Sequence, residues 1–208
     1  MNVIFTHTDV ADYTHHFLRS VAGNDIWHIT DQDGEAVPGT TTFRYPRSNG
    51  DGINLWEARA RAALNIPGMY CDNDMIFQRS YEPLMALDCD VVITRQDRKV
   101  LDTEGNCLSD VMPYNGGIIL CKNTDYFPSL VEIMEQMPFQ LQHWYGNQMA
   151  MKEMVNAFST VILPCSTYNY TPDKYEDSLK DMSDKWCVHF KGARKPWMIE
   201  YAKRMEMK

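Results

Sequence analysis

The hydrophobic pattern of the chain alternates between short apolar runs and segments with helical spacing. Residues 3–6 form a β-rich, apolar run that predicts a buried strand, and residues 11–22 carry apolar side chains at helical intervals. A second strand is predicted over 25–30 and a second helix over 53–64. Residues 31–52 are rich in Gly, Pro, Asp and Thr without a clear period, so we expect a loop with room for a short strand.

The rest of the chain continues this alternation. Further strands are predicted over 69–71, 91–94, 117–121, 160–163 and 186–190, further helices over 125–137, 146–158 and 197–207, and a hairpin over 99–107. Such alternation predicts a single α/β domain over 1–208, with a mainly parallel central sheet and helices on both faces. Ligands of such sheets gather at the carboxyl ends of the strands, which makes the residues after each strand the candidates for function.

Composition narrows the class of protein. Of the 208 residues, 44% are apolar and 23% are charged, which suits one globular core. The net charge of -8 argues against a surface built mainly to coat nucleic acid, because that affinity comes from Lys and Arg. No apolar run reaches the length of a membrane span, and the six cysteines include no C-x-x-C pair. We therefore expect a cytoplasmic protein with reduced thiols and no transmembrane segment.

Two aspartates follow the predicted strand at 69–71. Asp72 and Asp74 are two residues apart, so in extended backbone their carboxylates project to the same side. Two converging carboxylates repel each other unless a cation lies between them, and hard oxygen ligands suit magnesium or manganese. A D-x-D pair also occurs among ordinary turn and surface acids, and the pair alone does not distinguish these readings.

A second signal lies near the carboxyl terminus, where His189, Gly192 and Lys195 follow one another at intervals of three. The histidine ends a predicted strand, the glycine permits close backbone approach, and the lysine supplies a cation. This order suits a metal ligand, an amide that faces a phosphate, and a positive charge for a diphosphate. The alternative interpretation is a buried histidine bonded to backbone, with a solvated lysine after it.

Together these signals resemble family 8 of the glycosyltransferases, the glycogenin and bacterial galactosyltransferase family with the GT-A fold. The order and approximate spacing of the family's motifs hold over nearly the whole chain, and the terminal H-x-x-G-x-x-K-P-W is the most specific of them. The matching segments are Phe5-Thr6-His-Thr8-Asp9, Asp72-Asn-Asp74, Asn115-Gly116-Gly117, Asn147-Gln148, Leu163-Pro164 with Tyr168-Asn169, and His189 to Trp197.

The resemblance implies a role for each matching residue. Asp72, Asp74 and His189 correspond to ligands of Mn²⁺, or of Mg²⁺ in its place, shared with the diphosphate of a nucleotide-sugar donor. The implied donor-binding residues are Thr6, Asp9 and Tyr13 on the nucleoside, Gly192 and Lys195 on the diphosphate, and Arg59, with Arg61 as its alternative. The residues implied near the donor sugar and the reacting centre are Asp97, Asn115, Asn147 and Gln148.

One position departs from the family pattern. The family's usual Asp before the Gln is Asn147 here, and a neutral amide cannot serve as a carboxylate nucleophile. Either the acid lies elsewhere, or the reaction follows a front-face route in which the leaving phosphate assists.

The resemblance implies a retaining transferase that moves a sugar from a UDP-sugar to a hydroxyl of an acceptor glycan. Three alternatives remain open. The first is a virus-type enzyme that glycosylates a modified DNA base, and the second is a non-catalytic nucleotide-sugar-binding module. The third is a nucleotidyltransferase, which requires a Gly-rich phosphate loop that residues 5–12 lack.

Overall fold

The computed structural model describes residues 1–7, 11–48, 50–97, 99, 105 and 107–206. The strands of the described residues, numbered along the chain, are β1 Asn2–Thr6, β2 Asp25–Thr30, β3 Thr41–Arg44, β4 Gly68–Cys71, β5 Met75–Phe77, β6 Val91–Arg95, β7 Tyr114–Cys121, β8 Thr160–Pro164 and β9 Cys187–His189. The helices are α1 Thr14–Ser20, α2 Ile53–Leu64, α3 Glu82–Met85, α4 Tyr126–Glu135, α5 Phe139–His143, α6 Gly146–Met154, α7 Cys165–Tyr168, α8 Tyr175–Ser178 and α9 Lys195–Glu206, and a 3₁₀ turn spans Gly192–Arg194.

The central sheet contains seven strands in the order β3-β2-β1-β4-β7-β6-β8. All pairs are parallel except the two that involve β7, which runs against both β4 and β6. The prediction of a mainly parallel sheet is therefore confirmed. Strand β7 follows β6 in the chain and lies directly beside it, and antiparallel neighbours of this kind do not require a crossover connection.

Both faces of the sheet are covered by helices, as predicted. Alternate residues of β1 enter different cores: Phe5 packs with Phe17 of α1 and Met198 of α9, whereas Ile4 packs with side chains of α2, α4 and α6. Strands buried on both faces are expected to be continuously apolar, and residues 3–5 and 69–71 are fully buried. This packing holds the carboxyl ends of β1 and β4 beside each other at one edge of the sheet, with Phe5 opposite Cys71.

The pairing of β6 with β7 contains a bulge. Ile93 lies opposite Ile119, but the next residue, Thr94, lies opposite Asn115, so β7 contains extra residues at this point. A bulge bends its strand and re-aims the side chains there. The displaced segment of β7 includes Gly116 and Gly117.

The long predicted elements are present, two of them (25–30 and 53–64) with the predicted bounds and the others with slightly different ones, and the loop over 31–52 holds the short strand β3. The pattern does not predict β5, α3, α5, α7 or α8, because three to five residues are too few to establish a period. The hairpin predicted over 99–107 falls largely outside the described residues. All six cysteines are free thiols. Among the residues that the structure describes, no helix is long and apolar enough to cross a membrane.

Candidate functional site

Two short strands bring Asp74 and His189 together. Strand β5 pairs antiparallel with β9, so that Met75 lies opposite His189. The N–H of Phe190 donates to the carbonyl oxygen of Asp74 at 2.8 Å. Asp72, at the end of β4, is anchored by its own N–H, which donates to the carbonyl of Gly117 at 3.0 Å. Backbone pairing therefore delivers two acids and a distant imidazole to one point at the carboxyl edge of the sheet.

The side chains of Asp72, Asp74 and His189 converge. His189 Nε2 lies 3.0 Å from Asp74 Oδ1 and 3.4 Å from Asp72 Oδ2, and one potential ligand atom of each residue lies within 4.8 Å of the others. The buried Asp74 Oδ1 and His189 Nε2 atoms contact each other, and neither has a further hydrogen-bond partner in the described part of the chain. Buried polar atoms with so few partners are costly. The oxygen atoms of the two carboxylates and the Nε2 atom of the imidazole face one point. Together they form a set of ligand atoms that fits a divalent cation.

The electrostatics of the three groups also favour a cation. The Asp72 side chain keeps 42% of its surface exposed, yet loss of hydration raises its pKa to about 6, with Asp74 adding to the shift and His189 opposing it. For Asp74, burial also acts to raise the pKa, but His189 and Lys195 outweigh it, so the pKa of this carboxyl is lowered. Lys195 Nζ lies 3.5 Å from Asp74 Oδ2. Asp74 therefore carries its negative charge at neutral pH beside two potential cations.

A buried amide orients the imidazole. His189 Nδ1–H donates to Asn169 Oδ1 at 3.0 Å, and Asn169 Nδ2 donates to Thr94 Oγ1 at 3.0 Å. The Asn169 side chain is fully buried, so these bonds are shielded from water. This bond uses Nδ1, so Nε2 is the ring nitrogen that faces the acids and is placed to serve as a metal ligand. The sequence motif includes Asn169, but its contact with His189 is a tertiary feature that sequence reasoning missed.

Removing this amide is expected to weaken metal binding without removing a ligand. In Asn169→Ala we expect the affinity for Mn²⁺, measured by calorimetric titration, to fall about 10- to 100-fold. Asn169→Asp keeps an oxygen that accepts from Nδ1–H and should recover most of the affinity. Nitrogen NMR of the imidazole should show the Nδ1–H tautomer in the wild type and a tautomer mixture in Asn169→Ala. If Asn169→Ala bound Mn²⁺ as tightly as the wild type, the hydrogen bond from His189 to Asn169 would not be needed to orient the imidazole.

A cavity of about 540 Å³ opens beside the three converging side chains. It collects many of the residues implied by the sequence, from elements far apart in the chain. The implied residues that line it are Asp72, Asn115, Asn147, Gln148, His189 and Gly192. Tyr145, which starts α6, has the positive φ of 72° that side chains rarely adopt, and this turn carries Asn147 and Gln148 to the cavity wall.

Two glycines of β7 allow the close packing of this wall. A Cβ on Gly117 would lie 2.5 Å from Cε1 and 2.8 Å from Nδ1 of His189, so the histidine ring occupies the space of a side chain. A Cβ on Gly116 would lie 3.2 Å from Nδ2 of Asn147. The Asn115 side chain turns back and accepts the N–H of Gly117 at 2.9 Å, which fixes the glycine turn. Asn115 therefore acts locally as a turn residue while it also lines the cavity.

Of the residues implied for the nucleoside and the diphosphate, Gly192 lines the cavity, whereas Thr6, Tyr13 and Lys195 do not. Thr6 ends β1 beside β4, and its buried Oγ1 has no hydrogen-bond partner among the described residues. Lys195 Nζ lies 5.4 Å from the ring centroid of Tyr13. The structure thus brings Tyr13, Lys195 and Asp74 together. Asp9 lies outside the described residues.

Arg59 and Asp97 are two further implied residues that do not line this cavity. Arg59 points elsewhere, where its guanidinium contacts Asp51 at 2.7 Å and Glu135 at 2.8 Å. The alternative, Arg61, is buried and lines the cavity, paired with Glu57. The structure therefore places Arg61, and not Arg59, at this cavity, and donor binding by either residue stays a prediction.

Asp97 lines a second cavity, of about 560 Å³, and its Oδ2 accepts the N–H of Ser166 at 2.7 Å. Gln96, Lys191 and Arg194 line both cavities, so the two spaces adjoin. The acid implied near the donor sugar therefore lies next to the first cavity and not within it.

Comparisons with protein-family models and with curated proteins find no match. Solved structures, by contrast, match over almost the whole chain. The galactosyltransferase LgtC, in complex with donor and acceptor sugar analogs, matches with a TM-score of 0.57 at 15% identity, over 98% of this chain and 96% of its own. The glycosyltransferase GlyE of Streptococcus pneumoniae matches with a TM-score of 0.62 at 12% identity, over 97% of this chain and 60% of its own.

A glycosyltransferase involved in the glycosylation of the major capsid of PBCV-1 matches with a TM-score of 0.58 at 11% identity, over 96% of this chain and 98% of its own. The fold is the GT-A fold. At these identities the likeness extends to the backbone arrangement and no further. In this GT-A chain the converging acids, the imidazole and the cavity all lie at the carboxyl edge of the sheet, where α/β sheets bind ligands.

Proposed function

We propose that the protein is a metal-dependent, retaining glycosyltransferase that moves a sugar from a UDP-sugar to a hydroxyl of an acceptor glycan. One observation carries the proposal: the buried atoms Asp74 Oδ1 and His189 Nε2 lie 3.0 Å apart, have no further hydrogen-bond partner among the described residues, and face Asp72 at the edge of a cavity. A single divalent cation and the diphosphate that it binds would complete this arrangement. The GT-A fold supports a nucleotide-sugar as the ligand.

Asp72, Asp74 and His189 would hold Mn²⁺ or Mg²⁺. When bound, the ion supplies a Lewis acid for the diphosphate. Lys195, whose pKa is raised because Asp74 and Tyr13 outweigh the opposing effect of burial, stays protonated and would stabilise the charge that develops on the leaving phosphate. Gly192 has a φ of 64°, a conformation that lets the backbone approach a phosphate closely.

The remaining residues bind and orient the donor. Thr6, Asp9 and Tyr13 would hold the nucleoside, with the unpartnered Oγ1 of Thr6 available to a ribose hydroxyl. Arg61 lines the cavity beside Glu57 and would contact the donor from α2. Asp97 would face the sugar from the adjoining cavity.

The amides of the cavity wall support one of the two routes of transfer that the sequence leaves open. Asn115, Asn147 and Gln148 each present a neutral amide, which both donates and accepts hydrogen bonds and so matches sugar hydroxyls. None of these residues offers a carboxylate nucleophile to the glycosidic carbon. We therefore assign a front-face route with retention, in which a leaving phosphate oxygen takes the proton of the acceptor hydroxyl as the new bond forms.

The proposal is tested by donor hydrolysis, which needs no knowledge of the acceptor. With Mn²⁺, we expect the protein to cleave a UDP-hexose slowly into UDP and free hexose, with water in place of the acceptor. EDTA should abolish the reaction and added Mn²⁺ should restore it. Full activity in EDTA would refute the metal role, and release of pyrophosphate would indicate a nucleotidyltransferase. Binding of UDP-hexose with no cleavage would indicate a non-catalytic module.

A further inference from the structure

We infer that Trp144 is the platform on which a pyranose ring of the acceptor stacks, and that the acceptor is therefore a neutral carbohydrate and not a nucleobase. The inference rests on the proposed function, which already names a glycan acceptor, and deepens it by assigning the residue that binds the acceptor ring. Trp144 lines the cavity that also contains Asn147, Gln148 and His189. Its side chain is 62% exposed, whereas the other four tryptophans of the chain are buried or half-buried. Leaving the largest apolar side chain in water beside a polar cavity is unfavourable unless a ligand covers it.

The backbone around Trp144 is held rigidly. Tyr145 adopts a φ of 72°, and its carbonyl accepts the N–H groups of Gln148 at 3.0 Å and Met149 at 3.1 Å. A Cβ on Gly146 would lie 2.3 Å from the carbonyl oxygen of Leu141, so this position requires glycine. Residues that their surroundings hold in a strained backbone conformation cluster at ligand-binding sites.

Helix α5, which precedes Trp144, is fixed against α2. A Cβ on Gly52 would lie 2.4 Å from the backbone of Gln142, and the N–H of Ile53 donates to His143 Nδ1 at 3.2 Å. The Trp144 N–H donates to the carbonyl of Gln140 at 3.2 Å. The indole of Trp144 is therefore attached to a well-packed segment. The backbone of this segment loses little conformational freedom when a sugar ring binds to the indole.

The chemistry of the cavity favours a sugar over a base. Five of its lining side chains are carboxamides: Asn54, Gln96, Asn115, Asn147 and Gln148. Carboxamides pair with hydroxyls in either direction, and an indole face covers the apolar C–H face of a pyranose. A nucleic-acid acceptor would need cations along its phosphates, but the lining cations Arg61, Lys191 and Arg194 accompany the acids Glu57 and Asp72.

The test compares Trp144→Ala and Trp144→Phe with Phe139→Ala, which removes an exposed aromatic ring of α5 that does not line the cavity. The donor is a UDP-hexose with Mn²⁺. The acceptor probes are the methyl glycosides of glucose, galactose and N-acetylglucosamine, the disaccharides lactose and maltose, and a 12-nucleotide single-stranded DNA. Transfer is followed by mass spectrometry, and acceptor binding by protection of the exposed indole from acrylamide quenching.

We expect the wild type to glycosylate at least one sugar probe and not the DNA. Trp144→Ala should raise the acceptor KM about 10-fold or more, Trp144→Phe less, and Phe139→Ala not at all. The donor KM should change less than two-fold in all three variants. An unchanged acceptor KM in Trp144→Ala overturns the inference, as does an equal rise in the donor KM. The inference is also overturned if the wild type glycosylates the DNA. It is overturned as well if the wild type neither binds nor glycosylates any of the sugar probes. Donor hydrolysis by the wild type, measured without acceptor, shows separately whether the proposed function holds.

Discussion

Asp74→Asn is expected to abolish measurable Mn²⁺ binding and to lower the rate of UDP-hexose hydrolysis at least about 1,000-fold. Asp74 is the buried member of the acid pair and contacts both His189 and Lys195. Its pKa is lowered because His189 and Lys195 outweigh burial, so the site is built around the charged form. An asparagine has nearly the same shape but no charge, and it leaves Lys195 without its partner. Calorimetric titration with Mn²⁺ and UDP release at pH 7.5 measure the two effects.

Two further aspartate variants serve as controls for Asp74→Asn. Asp72→Asn should weaken Mn²⁺ binding less, because the Asp72 side chain is partly exposed and water can replace its ligand atom. Asp88→Asn removes the same charge from an exposed surface position and should leave both binding and hydrolysis unchanged. Near-normal Mn²⁺ affinity in Asp74→Asn, with normal folding by circular dichroism, would show that the three side chains do not form a metal site.

The acid pair was the easiest part of the site to predict from sequence. Asp72 and Asp74 lie next to a predicted strand, and the alternation of side chains along extended backbone already places both on one side. Their meeting with His189 depends on the pairing of β5 with β9, two strands of three residues that lie far apart in the chain. The pattern predicts a strand at 186–190 but not β5, and it does not indicate which strands pair, so only the order of the terminal motif indicated that His189 belongs with the acids.

The choice between Arg59 and Arg61 illustrates a second limit. Residues two apart on a helix point about 200° away from each other, so only one of the two can face the cavity. The helix α2 itself was predicted with the observed bounds, Ile53–Leu64. Which side of the helix faces the sheet depends on its packing against α4 and α6, and that information lies in other segments. The local pattern therefore predicts a basic residue on α2 without identifying which one.

Gly117→Ala is expected to disrupt the site through geometry alone. The added Cβ would lie 2.5 Å from Cε1 of His189, a ring that is fully buried and held by Asn169 at 3.0 Å. The added carbon would overlap the ring, so the ring must shift from its position beside the acids. We expect Mn²⁺ affinity to fall about 100-fold and UDP-hexose hydrolysis to fall at least as much. Overpacking should also lower the melting temperature by about 3–10 °C.

The neighbouring glycine gives a matched control for this prediction. In Gly116→Ala the added Cβ would meet only the Nδ2 atom of Asn147 at 3.2 Å, and the end of that side chain can move by a few tenths of an ångström. We therefore expect Mn²⁺ affinity to stay within about three-fold of the wild type. If the two variants bind Mn²⁺ equally well, the histidine ring is not constrained by β7. A loss of Mn²⁺ affinity in Gly117→Ala alone would mean that Gly117, which has no functional group, sets the position of the imidazole. The β6–β7 bulge places the backbone of this glycine beside His189, where a residue with a side chain does not fit.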